Sequence, residues 1–188
     1  MKNLVLFIII AVSLPLISFK QDFPEPVQLN FETYFKGKPD ENSPYFALTS
    51  MTWKYSYEST IYRNRVVINL KNEVAIDKNR SWVKWDKINN EETKANLLHH
   101  EQGHVNIHYI LQLESDRVLK NRNYSVKNFK NQISDLANQI SKYYDTMQRN
   151  YDDETEHGIN RKMQARWDKI IEDKIAEAKA ATLADSRK

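Results

Sequence analysis

Two textures divide the chain. Between about residues 27 and 85 apolar residues alternate with polar ones, and from residue 89 onward they recur three and four apart. VQLNFETYF (27–35) alternates through Leu29, Phe31 and Thr33. YFALTSMTWKYSYES (45–59) and RVVINLKNEVAI (65–76) are rich in aromatic and β-branched residues, so all three segments are predicted strands. KGKPDENSP (36–44) is a turn cluster, a hairpin reversal falls between residues 59 and 64, and SWVKW (81–85) offers a short fourth strand.

Asn89 with Glu92 three residues on has the form of a capping box, which predicts a helix to about Leu119, broken by NRNYS (121–125). A second helix over 126–149 carries Phe129, Ile133, Leu136, Ile140 and Tyr144 at helical spacing. YDDETEHG (151–158) interrupts it, and a last helix has Ile159, Met163, Trp167, Ile170 and Ile171 on one face. AEAKAATLADSRK (176–188) is expected to be a fraying end. Strands followed by helices predict an α+β fold, an N-terminal antiparallel or mixed sheet ahead of a helical half.

The N-terminus changes the expected location. An apolar run over residues 4–19 lies between Lys2 and Lys20, the layout of a secretory signal. The expectation is a cleaved leader over 1–22, an exported single domain over 23–180 and a short tail over 181–188. An uncleaved, N-terminally anchored form is the alternative. With no cysteine in 188 residues, disulfides, thiolate metal sites and a cysteine nucleophile are excluded. A net charge of +3, with no basic cluster interleaved with aromatics, argues against a nucleic-acid partner.

The candidate chemistry lies in LLHHEQGHVNIH (97–108), which holds four of the five histidines. His100-Glu101-Gln102-Gly103-His104 is an H-E-x-x-H pattern, and on a helix residues i and i+4 share a face. Both imidazoles can then converge on one Zn²⁺, with Glu101 beside them as general base toward a metal-activated water. Gly103 costs about 1 kcal/mol in mid-helix relative to alanine, which suggests that a backbone or substrate approaches there. A catalytic zinc site needs a third protein ligand. His108 would stand about 12 Å from His100 along the helix axis, too far for both to reach one ion comfortably. The remaining candidates are His157 and the carboxylates of Asp152, Asp153, Glu154 and Glu156.

Ser81-Trp82, Leu98 with His100 to His104, and Tyr151, Asp152, Glu154, Thr155, His157, Gly158, Gln164 and Trp167 together resemble a family of uncharacterised bacterial secreted proteins. That family is predicted to be zinc-dependent proteases of the HExxH, zincin-like superfamily. The resemblance covers most of the mature chain and implies His157 as the third zinc ligand, with His108 outside the motif. Asn106 departs from the acidic residue expected after the second histidine, where a contact behind the metal ligands would be weakened. The resulting expectation is an exported zinc metallopeptidase acting on a peptide or protein substrate, with Zn²⁺ on His100, His104 and His157 and Glu101 as base. Its rivals are a zinc hydrolase of another amide, such as cell-wall peptide, and a non-catalytic metal-binding or adhesive domain. Tyr109 and Tyr151 lie near the motifs as possible oxyanion donors. The strand over 45–59 is a possible edge for an extended substrate.

Overall fold

A computed structural model describes residues 23–185; the expected leader over 1–22 lies outside them. The fold is α+β, and both of its small sheets are antiparallel. A one-turn helix α1 (Phe31–Tyr34) precedes β1 (Ala47–Leu48), β2 (Met51–Tyr62), β3 (Arg65–Ile76) and β4 (Trp82–Val83). Three long helices follow: α2 (Glu91–Asn121), α3 (Phe129–Thr155) and α4 (Arg161–Asp185). None of the described helices is long and apolar enough to cross a membrane.

β2 and β3 form one long hairpin, paired from Met51↔Ile76 to Tyr62↔Arg65. Its two-residue turn, Arg63 and Asn64, has positive φ at both positions (47° and 62°), the turn that matches the right-handed twist of the strands. Val66, Leu70 and the half-buried Trp53, Tyr55 and Tyr57 face α2. The hairpin is pinned there by Asn72, whose Nδ2 donates to Gln112 O (2.6 Å) and whose Oδ1 accepts from Trp53 Nε1 (2.5 Å). Ile107, Ile110 and Leu111 of α2 sit in the main core with Ile133 and Tyr144 of α3 and Trp167 and Ile171 of α4. A smaller core gathers Leu29, Phe35, Ala47, Val83, Ile88, Leu97 and Val105 at the other end of α2.

Several expected elements fall differently. Residues 27–35 are not a strand: Asn30 Oδ1 accepts from Thr33 N (2.8 Å), and this cap turns Phe31–Tyr34 into helix. Phe31 and Phe35, apolar at an even spacing that also suits alternation, are i and i+4 neighbours with centroids 5.4 Å apart. The segment 45–59 splits between two sheets, because β1 pairs with β4 and β2 with β3. The cap of α2 is Asn90, not Asn89, with its side chain on Thr93 N (2.8 Å). YDDETEHG does not interrupt a helix: α3 runs on through Thr155, and only the last residues of the motif turn. α4 likewise reaches Asp185, so residues 176–185 are helix rather than a fraying end.

Candidate metal centre

α2 places His100 and His104 on one face, with ring centroids 4.9 Å apart. Beneath them lies Tyr151 of α3, fully buried, its ring stacked on His100 at 4.6 Å. Tyr151 Oη donates to His100 O (2.9 Å) and accepts from Gln164 Nε2 (2.8 Å), so it serves the scaffold rather than the cleft. The approach explains Gly103: a Cβ there would overlap Tyr151 Oη and stand 2.5 Å from Cζ. The group that needs the glycine is a phenol, not a backbone or a substrate.

The last turn of α3 then supplies Asp152. Glu156, His157 and Gly158 follow in the left-handed region (φ 51°, 52° and 83°), reversing the chain so that His157 turns back toward α2. For the two non-glycine residues this conformation costs about 1–3 kcal/mol each. The turn is held by His157 N on Asp152 O (3.0 Å) and by Gly158 N on Thr155 Oγ1 (3.3 Å), with Thr155 Oγ1 donating to Tyr151 O (2.6 Å). A Cβ on Gly158 would lie 2.8 Å from His100 Cβ, so the glycine lets the turn close onto the histidine helix.

The result is a convergence on one oxygen. Asp152 Oδ1 lies 3.1 Å from His100 Nε2, 2.9 Å from His104 Nε2 and 3.3 Å from His157 Nδ1. The ligand atoms of His100, Asp152 and His157 all fall within 4.8 Å of one another, and His104 joins them through Asp152. A tetrahedral ion with bonds of about 2.0–2.1 Å sets its ligand atoms about 3.3 Å apart, so the Asp152 distances fit a shared ion. Asp152 was only one of four carboxylates the sequence offered; the structure singles it out.

Outer partners fix how the rings face. His104 Nδ1 donates to Gln148 Oε1 (2.5 Å), and His100 Nδ1 meets Gln164 Oε1 (3.2 Å). Both Nε2 atoms are thereby turned inward as potential ligands. Burial alone would lower the His104 imidazole, but the hydrogen bond and charge of Asp152, with Glu101 and Gln148 adding, raise it to about 9. Burial alone would raise the Asp152 carboxyl, but hydrogen bonds from His100 and His104, and their charge, hold it well below the usual carboxylate range.

Glu101 is buried beside this cluster, 4% exposed, and Oε2 accepts from Thr49 Oγ1 (2.6 Å). A cleft of about 540 Å³ opens here, walled by residues 44–51 on one side and by α2, α3 and His157 on the other. Its wall is tethered by Ser81, fully buried, whose Oγ accepts from Ser50 N (2.9 Å) and donates to Asp77 O (2.8 Å). Tyr45 of the wall packs its ring 4.2 Å from that of His157.

Other candidates face elsewhere. His99 Nε2 pairs with Asp168 Oδ2 (2.9 Å) on the far side of α2. Glu154 accepts from Trp167 Nε1 (3.0 Å), and Tyr109 lies under Lys179. Asn106 accepts from Gln102 Nε2 (3.0 Å), an amide that also clamps Val27 O (2.9 Å), so position 106 has no contact with the cluster. His108 stands one turn beyond His104 at the cleft, and burial pushes its imidazole pKa down. Gln148 and Thr49 were not foreseen, and Gln164 was named only within the resemblance, with no role behind the rings. Glutamines at helical spacing look like any polar surface, and only packing reveals that they meet the rings.

Comparisons with curated proteins and with solved structures return no match. A family profile does match, over residues 28–158, and so spans both the histidine helix and the turn that closes on it. The chain therefore belongs to a family described as bacterial protein of unknown function, DUF922.

Proposed function

We propose that this protein is a zinc-dependent peptidase acting outside the cytoplasm, with His100, His104 and His157 as the ligands of the ion and Asp152 as a fourth donor that yields its place to water. Three imidazoles and a carboxylate, without thiolate, suit Zn²⁺. When bound, such an ion polarises a carbonyl and activates water as a nucleophile. The protein's own residues do the rest. Glu101 takes the proton from the attacking water and delivers it to the departing amine. Thr49 occupies one of its oxygens and leaves the other without a hydrogen-bond partner among the described residues. In the wall, Lys84 N donates to Phe46 O (2.8 Å), so alternation along β1 turns the N–H and C=O of Ala47 away from β4. An extended peptide can add there as a further strand.

The observation that carries this reading is Glu101, a carboxylate buried beside the histidine cluster and lining its cleft. A purely structural ion has no use for such a base. A second reading has one observation in its favour. Asp152 meets all three imidazoles, and four protein donors can close a zinc site against water. One preparation separates the two: protein from its native host, processed between residues 18 and 25, assayed for zinc and against a mixed peptide library. Peptidase activity in the wild type, lost by about 10²-fold or more in Glu101→Gln at unchanged zinc content, is the expected result. Stoichiometric zinc without hydrolysis supports the closed site. A protein that takes up no metal, or one retained in the cytoplasm with Met1 intact, contradicts the proposal.

A further inference from the structure

We propose that His108 is the cleft's hydrogen-bond donor to the substrate, presenting its Nε2–H to an acceptor oxygen of the bound chain. The inference rests on the peptidase reading of the cleft and on the hydrogen bonds of one amide. Gln148 meets three groups: its Oε1 lies 2.5 Å from His104 Nδ1, and its Nε2 lies 3.1 Å from His104 O and 2.6 Å from His108 Nδ1. A carbonyl oxygen only accepts, so the amide atom facing His104 O must be the N–H₂ group. That fixes the whole side chain without reference to any ion. The other amide atom is then the oxygen, and His104 Nδ1 must donate to it.

The second amide hydrogen points at His108 Nδ1, and at 2.6 Å a donor there must find a lone pair. His108 Nδ1 therefore carries no proton, and its 3.2 Å approach to His104 O is a neighbouring contact rather than a bond. The ring's one proton is on Nε2. Among the described residues Nε2 has no partner, and it is not enclosed, since the one buried side-chain polar atom left unpaired is Tyr109 Oη. His108 lines the cleft that holds the cluster. A neutral N–H donor thus projects into the cleft, kept in that tautomer by the same glutamine that turns His104 toward the metal position.

Its place defines what it reads. Four residues beyond His104 is about 6 Å along the helix, roughly the rise of two residues of extended chain. The acceptor is then a backbone carbonyl, or a side-chain amide or hydroxyl oxygen, one or two residues from the group held beside the cluster. A free amino acid is too short to use it, whereas a peptide reaches both points.

The test uses zinc-loaded protein and two probes, acetohydroxamate and a tripeptidyl hydroxamate, which share a metal-binding head and differ in length. In ¹⁵N-detected long-range NMR, His108 should show a bare Nδ1 and a protonated Nε2 whose signal moves with the peptidyl probe alone. His108→Phe should weaken the peptidyl probe about 3- to 10-fold, the range of one lost neutral hydrogen bond. Acetohydroxamate and zinc itself should bind as before, and His108→Gln, which keeps an N–H₂, should recover part of the loss. A proton on Nδ1, or equal losses for both probes, overturns the assignment of His108 alone. Wild type that binds zinc but neither probe overturns the peptidase reading and this proposal together.

Discussion

At the scale of single residues, the centre stores a proton where an ion would sit. His104, with its pKa at about 9, is cationic at neutral pH, and Asp152 beside it is ionised. A metal needs the neutral imidazole, so uptake must expel that proton. Calorimetric titration of metal-free protein with Zn²⁺ at pH 7.5, in buffers of different ionisation enthalpy, should report release of about one proton per chain. In Gln148→Leu the bond that helps hold the proton is gone, and the release should shrink. Stability follows the same groups. His104 has a raised folded pKa, so its contribution is complete below about 6.5 and is lost as pH climbs through about 9. Asp152 has a depressed one, so its contribution is present above about 3.8 and lost on deeper acidification. His108, pushed down by burial, works against His104 below about pH 6.5, because there the unfolded chain takes a proton that the folded one refuses.

At the scale of elements, the motif that follows Tyr151 acts as one device, a helix end that bends back on α2. Its tolerance is set by Gly158, which needs φ of 83° and leaves no room for a Cβ against His100. Gly158→Ala should displace both His100 and His157 and weaken zinc binding by about 10-fold or more, while costing about 1–3 kcal/mol of stability. Competition with a chromophoric chelator and a urea melt measure the two effects. A variant that is destabilised but keeps full zinc affinity would show that the turn is scaffold only. How much of this was legible follows from its range in sequence. His100, Glu101 and His104 lie on one helix, so local spacing alone exposed them. The β3 boundaries and the hairpin reversal were equally local. Asp152 could not be told from its acidic neighbours because YDDETEHG reads as a polar loop, whereas Tyr151 and Thr155 are buried and α3 runs six residues past the expected end at 149. The strand expected over 27–35 failed for the opposite reason: a single local cap at Asn30 outweighed an alternating pattern.

At the scale of the whole molecule, the centre ties together parts of the chain that packing alone brings near. α2 gives two imidazoles, α3 a carboxylate, the turn a third imidazole and α4 the amide behind His100. The family match ends at residue 158, yet Gln164 lies beyond it and is 3% exposed. Its position explains why an amide stands where metal sites often use a carboxylate behind the ligand. The amide oxygen serves His100, while the N–H₂ group donates to Tyr151 Oη (2.8 Å) and to Asp168 Oδ1 (2.9 Å). A glutamate could keep the first contact only by setting two carboxylates against each other and leaving Tyr151 Oη without its donor. Gln164→Glu is therefore predicted to lower stability by more than about 2 kcal/mol at pH 8, since a buried charge would face a like one. Repulsion and burial would raise the pKa of the new carboxyl, so the deficit should shrink as pH falls and the group takes up a proton. Urea melts of variant and wild type at pH 8 and pH 5 measure this directly. Gln164→Ala, which adds no charge, should instead show a deficit independent of pH over this range, together with zinc affinity about 10- to 100-fold weaker. Equal deficits at both pH values in Gln164→Glu would mean that Asp168 yields to the new group, and that α4 holds His100 less firmly than these contacts imply.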